Sequence, residues 1–203
     1  MSVRVKICGV TTSEDAVAAE RVGADAIGMI LHARSRRLID LEQGASVVAK
    51  LGPFIARVGV FVDPPAAFVE AAIGRLRLDA VQFHGHERRI AAERFRDRVR
   101  CIEAISFSGD LDVDDLATGP ADAVLVDGAQ PGSGVPFDWD AGETLARLPR
   151  WILAGGLTPA TVAAAVRQLD PYGVDVASGV ERSPGVKDHD AMARFVTAAK
   201  GAR

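Results

Sequence analysis

Cysteine is scarce in this 203-residue sequence: Cys8 and Cys101 are the only two, far apart and without CxxC spacing. This argues against a disulfide framework or a zinc site and suits a chain kept reduced in the cytoplasm. A dominant charge is missing too. Lys plus Arg number 24 against 27 for Asp plus Glu, a formal charge of −3, so no overall basic field draws the chain to nucleic acid or membrane. Any anion site must be built locally, from a few arginines or from backbone N–H groups. Nowhere do 18 apolar residues run together, and the N-terminus meets charge at Arg4 and Lys6 without an apolar signal segment. Neither export nor membrane spanning is expected. No Pro/Ser-rich linker or low-complexity tract interrupts the chain, and with 48% hydrophobic residues the expectation is one domain over residues 1–203.

What the chain does have is a recurrence of short Val- and Ile-rich runs. Eight read as strands: VRVKI (3–7), DAIGMIL (25–31), ARVGVFV (56–62), DAVQFH (79–84), RCIEAI (100–105), DAVLVD (122–127), WILAGG (151–156) and GVDVAS (173–178). Helical spacing fills the intervals. TTSEDAVAAERVG offers Thr12 or Ser13 as an N-cap and Gly23 as a stop. TPATVAAAVRQL puts Thr158 at a cap and Pro159 at the first helical position. The segment FSGDLDVDDLATGPAD (107–122) carries the poorest helix signal and is expected to be irregular. Alternating strands and helices imply parallel pairing, because each parallel return needs a crossover. Such apolar strands should be covered on both faces. Eight regular units favour a closed α/β fold, the (β/α)8 TIM barrel with eight parallel strands, at the short end of its size range.

In a barrel of this kind the active-site face lies at the C-terminal ends of the strands. Cys8 follows the first run, Gln82 and His84 end the fourth, Asp127 ends the sixth, and Gly155, Gly156, Ser178 and Gly179 end the seventh and eighth. They should converge on one mouth. Positions 6 and 8 share a side of their strand, so Lys6 is expected to point inward beside the thiol.

KICGVT, VQFHG, LVDG followed by PGSGVPFDW, LAGGLTP, VDVASGVE and PGVKDHD, in this order over nearly the whole chain, resemble the phosphoribosylanthranilate isomerases of tryptophan biosynthesis. The resemblance implies an aldose–ketose isomerisation of N-(5-phosphoribosyl)anthranilate by an Amadori rearrangement. It implies no cofactor and no metal, since only protons move, and a small phosphoribosyl molecule as partner. It further implies Cys8 as general base and Asp127 as general acid. A thiol serving as base should have its pKa lowered from about 8.5, and an aspartic acid serving as acid should have its own raised from about 3.9. Without the motif, a cysteine at a strand end is ordinarily a small buried apolar residue, which is the reading for Cys101.

The substrate has two anionic ends. Glycine-rich turns at Gly132–Ser133–Gly134, at Gly155–Gly156 and at Ser178–Gly179 lie where such barrels bind phosphate, with N–H groups open to close approach. For the anthranilate carboxylate, the family's Ser-x-Arg pattern aligns with Ser35 and selects Arg37 from the cluster Arg34, Arg36 and Arg37. Gln82 and His84 are expected to line the pocket, without a proton-transfer role for His84.

Three departures stand out. Pro131 replaces the first glycine of the family's Gly-Gly-Ser-Gly run and removes one N–H donor. The aromatic residues and proline that often precede the arginine are missing from LHARSRR, and QFHG replaces QLHG. Two competing readings are a related barrel acting on another phosphoribosyl aminal, such as the histidine-pathway substrate, and a non-catalytic barrel that binds a phosphorylated metabolite. The first would call for two glycine-rich halves and two aspartates; the second fits poorly with two retained proton-transfer groups. The sequence leaves monomer or homodimer open.

Overall fold

The computed structural model describes residues 2–107, 111–128 and 142–202. In chain order the elements are β1 (Arg4–Cys8), α1 (Ser13–Arg21), β2 (Ala26–His32), α2 (Leu41–Val48), β3 (Ala56–Val62), α3 (Ala66–Leu76), β4 (Ala80–His84), α4 (Arg88–Phe95) and β5 (Arg100–Ser106). They continue with α5 (Val113–Ala117), β6 (Ala123–Asp127), α6 (Gly142–Leu145), β7 (Trp151–Ala154), α7 (Val162–Leu169), β8 (Gly173–Val176), β9 (Glu181–Ser183), β10 (Val186–Lys187) and α8 (His189–Lys200). Strands β1 to β8 pair in sequence order as a closed barrel, and the parallel pairing of β1 with β8 closes the ring. β9 and β10 form a separate antiparallel pair after β8.

Side-chain alternation divides the core in two. Val58, Ile102, Ala104, Leu125, Ile152 and Ala154 fill the barrel interior. Ile7, Ile27, Met29, Phe61, Phe83, Val126 and Leu153 face outward and belong to the larger core that includes the helices. This double burial is why the strands read as nearly continuous apolar runs. Among the described residues no helix is long and apolar enough to cross a membrane.

Local signals behave unevenly. Thr12 caps α1, accepting from Asp15 N–H, and Asp40 with Gln43 forms a capping box on α2. Thr158 does not start α7. The Thr158 carbonyl accepts from both Thr161 N–H and Val162 N–H, and the two threonine hydroxyls bond each other. A separate turn results, and the helix begins only at Val162. The segment expected to be irregular contains the five-residue α5, nucleated by the Asp112 carboxylate accepting from Asp115 N–H. β1 runs one residue further than its apolar run and includes Cys8.

Candidate active site

Cys8 sits at the C-terminal end of β1, buried. Beneath it Lys6 points inward, as its parity with Cys8 requires, and donates at 2.9 Å to Asp175 Oδ1 on β8. In the β1–β2 register Cys8 lies opposite Gly28. A Cβ on Gly28 would stand 2.8 Å from Cys8 Sγ and 3.0 Å from Lys6 Nζ, so the bare glycine makes the room that both side chains occupy. Burial opposes the charge of Lys6, but Asp175 and the thiol outweigh it and hold the ammonium above the ordinary lysine value. For Cys8 the balance runs the other way from the expected lowering. Burial pushes the thiol up, and the opposing charge of Lys6 only partly offsets burial and the nearby Asp175.

Asp127 ends β6 and is pushed up to about 6, first by burial and then by the charge of Asp175, against a hydrogen bond from Gly128 N–H. Its Oδ1 is buried and has no hydrogen-bond partner among the described residues. Gly155 follows β7 with φ +95°, and a Cβ there would stand 2.7 Å from Asp127 Oδ1 and 2.5 Å from Gly128 N. Only glycine combines that backbone conformation with so close a pass. Gly155, Gly156, Ser178 and Gly179 line a cavity of about 310 Å³ that also touches Arg37, Asp127 and Asp175. On its other side Asp127 borders a second cavity of about 580 Å³, lined by His84, Gly85, His86, Arg88 and Ser106 among others.

Arg37 reaches this mouth already half engaged. Its Nε and Nη2 donate to Glu181 at 2.8 and 2.7 Å, so the expected carboxylate fork is split, with one edge held by the protein. Burial raises Glu181, yet Arg37 and Lys187 outweigh it and hold the carboxyl below the usual range. Lys187 Nζ is fully buried and donates to Cys8 O at 2.6 Å, Ala177 O at 3.1 Å and Glu181 Oε1 at 2.9 Å. One ammonium thereby joins the end of β1 to the loop after β8, and Glu181 extends the link to Arg37 in the loop after β2. On β4, Gln82 Nε2 donates to His84 Nε2 at 2.7 Å. Burial and Lys6 lower His84 to about 4, which leaves a neutral ring unsuited to donating a proton. Gly132, Ser133, Gly134 and Pro131 lie outside the described residues. Among the described residues no group of three or more His, Cys, Asp or Glu could hold a metal ion.

Residues 5–198 match the family described as N-(5'phosphoribosyl)anthranilate (PRA) isomerase. The chain belongs to that family. A relative from Magnetococcus marinus, N-(5'-phosphoribosyl)anthranilate isomerase, is 44% identical, covering 100% of this chain and 98% of its own. The crystal structure of phosphoribosyl anthranilate isomerase from Thermotoga maritima is 37% identical with a TM-score of 0.91, covering 98% of this chain and 99% of that one. A further phosphoribosyl anthranilate isomerase, solved with reduced 1-(o-carboxyphenylamino)-1-deoxyribulose 5-phosphate, is 35% identical with a TM-score of 0.88, covering 98% and 99%. Within the isomerase fold, the sequence reading brought Cys8, Asp127, Arg37, Gln82, His84, Gly155, Gly156, Ser178 and Gly179 to one end of the barrel. It missed Asp175, Glu181, Lys187 and Gly28 as working parts. The first three lie inside the motifs VDVASGVE and PGVKDHD, but their long-range partners are invisible in a linear chain.

Proposed function

We propose that the protein isomerises N-(5-phosphoribosyl)anthranilate to 1-(2-carboxyphenylamino)-1-deoxyribulose 5-phosphate. The observation that carries the reading is Asp127: a strand-end carboxyl raised to about 6, with a buried, unpartnered oxygen, at the same barrel mouth as Cys8. The carboxylic acid gives its proton to the furanose ring oxygen as the C1′–O bond breaks, leaving a Schiff base. The fraction of Cys8 that Lys6 and Lys187 favour as thiolate against burial then takes the C2′ proton, and the resulting enolamine tautomerises to the ketose. No electrons enter or leave. The phosphate is held by N–H groups of the turns at Gly155–Gly156 and Ser178–Gly179, and the anthranilate carboxylate by the Arg37 edge that Glu181 leaves uncommitted. Gln82 and neutral His84 line the wall. The partner is a phosphoribosylated small molecule, and the chain acts as one catalytic unit, alone or as a pair, in a reducing cytoplasm where Cys8 stays free.

The experiment is the fall in anthranilate-type fluorescence when freshly generated phosphoribosylanthranilate meets the purified protein, with Cys8→Ala beside it. Rapid consumption by the parent alone is expected. No consumption by the parent would sink the reading.

A further inference from the structure

Lys6 and Asp175 take no part in the proton transfers above, yet both lie buried at the floor of the site, with side chains 6% and 10% exposed. An ion pair withdrawn from water gains little over apolar residues of similar volume. Asp175 occupies one of the three donors of the Lys6 ammonium. The space left by Gly28 is bordered by Lys6 Nζ and Cys8 Sγ together, so the ammonium faces the thiol as well as the carboxylate.

Other charges surround the thiol. Lys187 of β10 and Arg37 from the loop after β2 both face it as cations. Lys187 is committed to two carbonyls and Glu181, and Arg37 to Glu181. His84 of β4 faces both Lys6 and Asp175, and Asp127 of β6 faces Asp175. Among the described residues, Asp175 is the side-chain anion that pairs with Lys6 besides the thiol.

We propose that Lys6 is a positioning residue for the proton transfer: its ammonium, anchored by Asp175 and facing Cys8 Sγ across the space left by Gly28, eases loss of the thiol proton against the burial that opposes it. The working base is then a Lys6–Cys8 pair, with Asp175 fixing the ammonium's geometry while its own charge disfavours the thiolate. The inference rests on the isomerase reading for the use made of Cys8. Charge counting gives opposite signs for the two partners. With Lys6 protonated and Asp175 ionised, loss of the thiol proton takes the trio from neutral to singly negative. In Lys6→Met the same loss runs from singly to doubly negative. In Asp175→Asn it runs from positive to neutral.

The test is the rate of iodoacetamide alkylation at Cys8 against pH, read by peptide mass spectrometry so that Cys101 is counted separately. It is run on the parent, Lys6→Met, Lys6→Arg and Asp175→Asn. Lys6→Met should move the midpoint up by about one unit or more, roughly a tenfold slower reaction at fixed pH below the midpoint. Asp175→Asn should move it down, and Lys6→Arg should stay with the parent. A merely structural role would disturb the Met and Asn variants alike, since each leaves one buried charge alone. Shifts in the same direction, or the absence of either shift, overturn the proposal. If Lys6→Met does not fold, Asp175→Asn decides: a midpoint below the parent's supports it, and one at or above overturns it. Alkylation needs no turnover, so a parent that leaves phosphoribosylanthranilate unconsumed while the opposite shifts hold would overturn the isomerase reading and not this one.

Discussion

The acid proposed above must carry a proton near neutrality, and burial plus the charge of Asp175 moves the Asp127 carboxyl toward that range, to about 6. Asp127→Asn keeps the shape and removes the proton, so turnover in the fluorescence assay should fall by about 10² to 10⁴, with product binding retained. The same residue predicts a stability trend. The folded carboxyl holds its proton up to about pH 6, whereas an unfolded one releases it near about 4. The fold therefore binds this proton more tightly than the unfolded chain. Its stabilising contribution is present below about pH 4 and is lost as pH rises through about 6. Asp127→Asn should accordingly melt higher than the parent at about pH 8, with the gain vanishing at about pH 4 in thermal denaturation. The raised acid was legible in the sequence, because the AVLV run announces burial. The net rise of the Cys8 thiol was not, because it depends on how far burial and Asp175 outweigh Lys6.

Pairs of neighbouring elements explain positions that look ordinary along the chain. On β2, Gly28 reads as a weak point in an apolar strand, yet its missing Cβ is the space that Cys8 and Lys6 use. Gly28→Ala should displace both, at a cost of about 1 to 3 kcal/mol in stability and with a fall in kcat, checked by denaturant unfolding alongside the fluorescence assay. The β9–β10 pair acts as a strap. Its Lys187 ties Cys8 O, Ala177 O and Glu181 together, and Lys187→Met would leave Glu181 buried with one cation fewer. The expected loss is about 3 to 5 kcal/mol, read as a lower urea midpoint. The start of α7 shows the limit of local signals. Thr158–Pro159 has the right composition for a helix entry, but the hydroxyl pair and the doubly accepting Thr158 carbonyl close a turn first.

The barrel separates its labour between its two ends. The C-terminal mouth carries Cys8, Asp127 and Asp175, while the opposite end holds a cavity of about 330 Å³ whose walls include Ala26, Ala56, Val58, Ala80 and Ile152 and which reaches up to Lys6. Filling the part of that cavity farthest from Lys6 should stabilise with little effect on the chemistry. Ala80→Val, β-branched on a strand, should add about 0.5 to 2 kcal/mol in thermal unfolding and leave kcat/KM unchanged. The alternation of eight apolar runs with helical intervals determined the parallel barrel, and strand parity with strand ends placed Cys8, Gln82, His84, Asp127 and the turns at Gly155–Gly156 and Ser178–Gly179 at one mouth. These follow from periods of two and 3.6 residues and from connection rules, which are local properties of a chain. The pairing of Lys6 with Asp175, of Arg37 with Glu181, and of Lys187 with the Cys8 carbonyl came only with closure of the barrel. Each joins residues more than 140 positions apart, and the strength of a buried charge depends on the partners and the water that folding leaves around it.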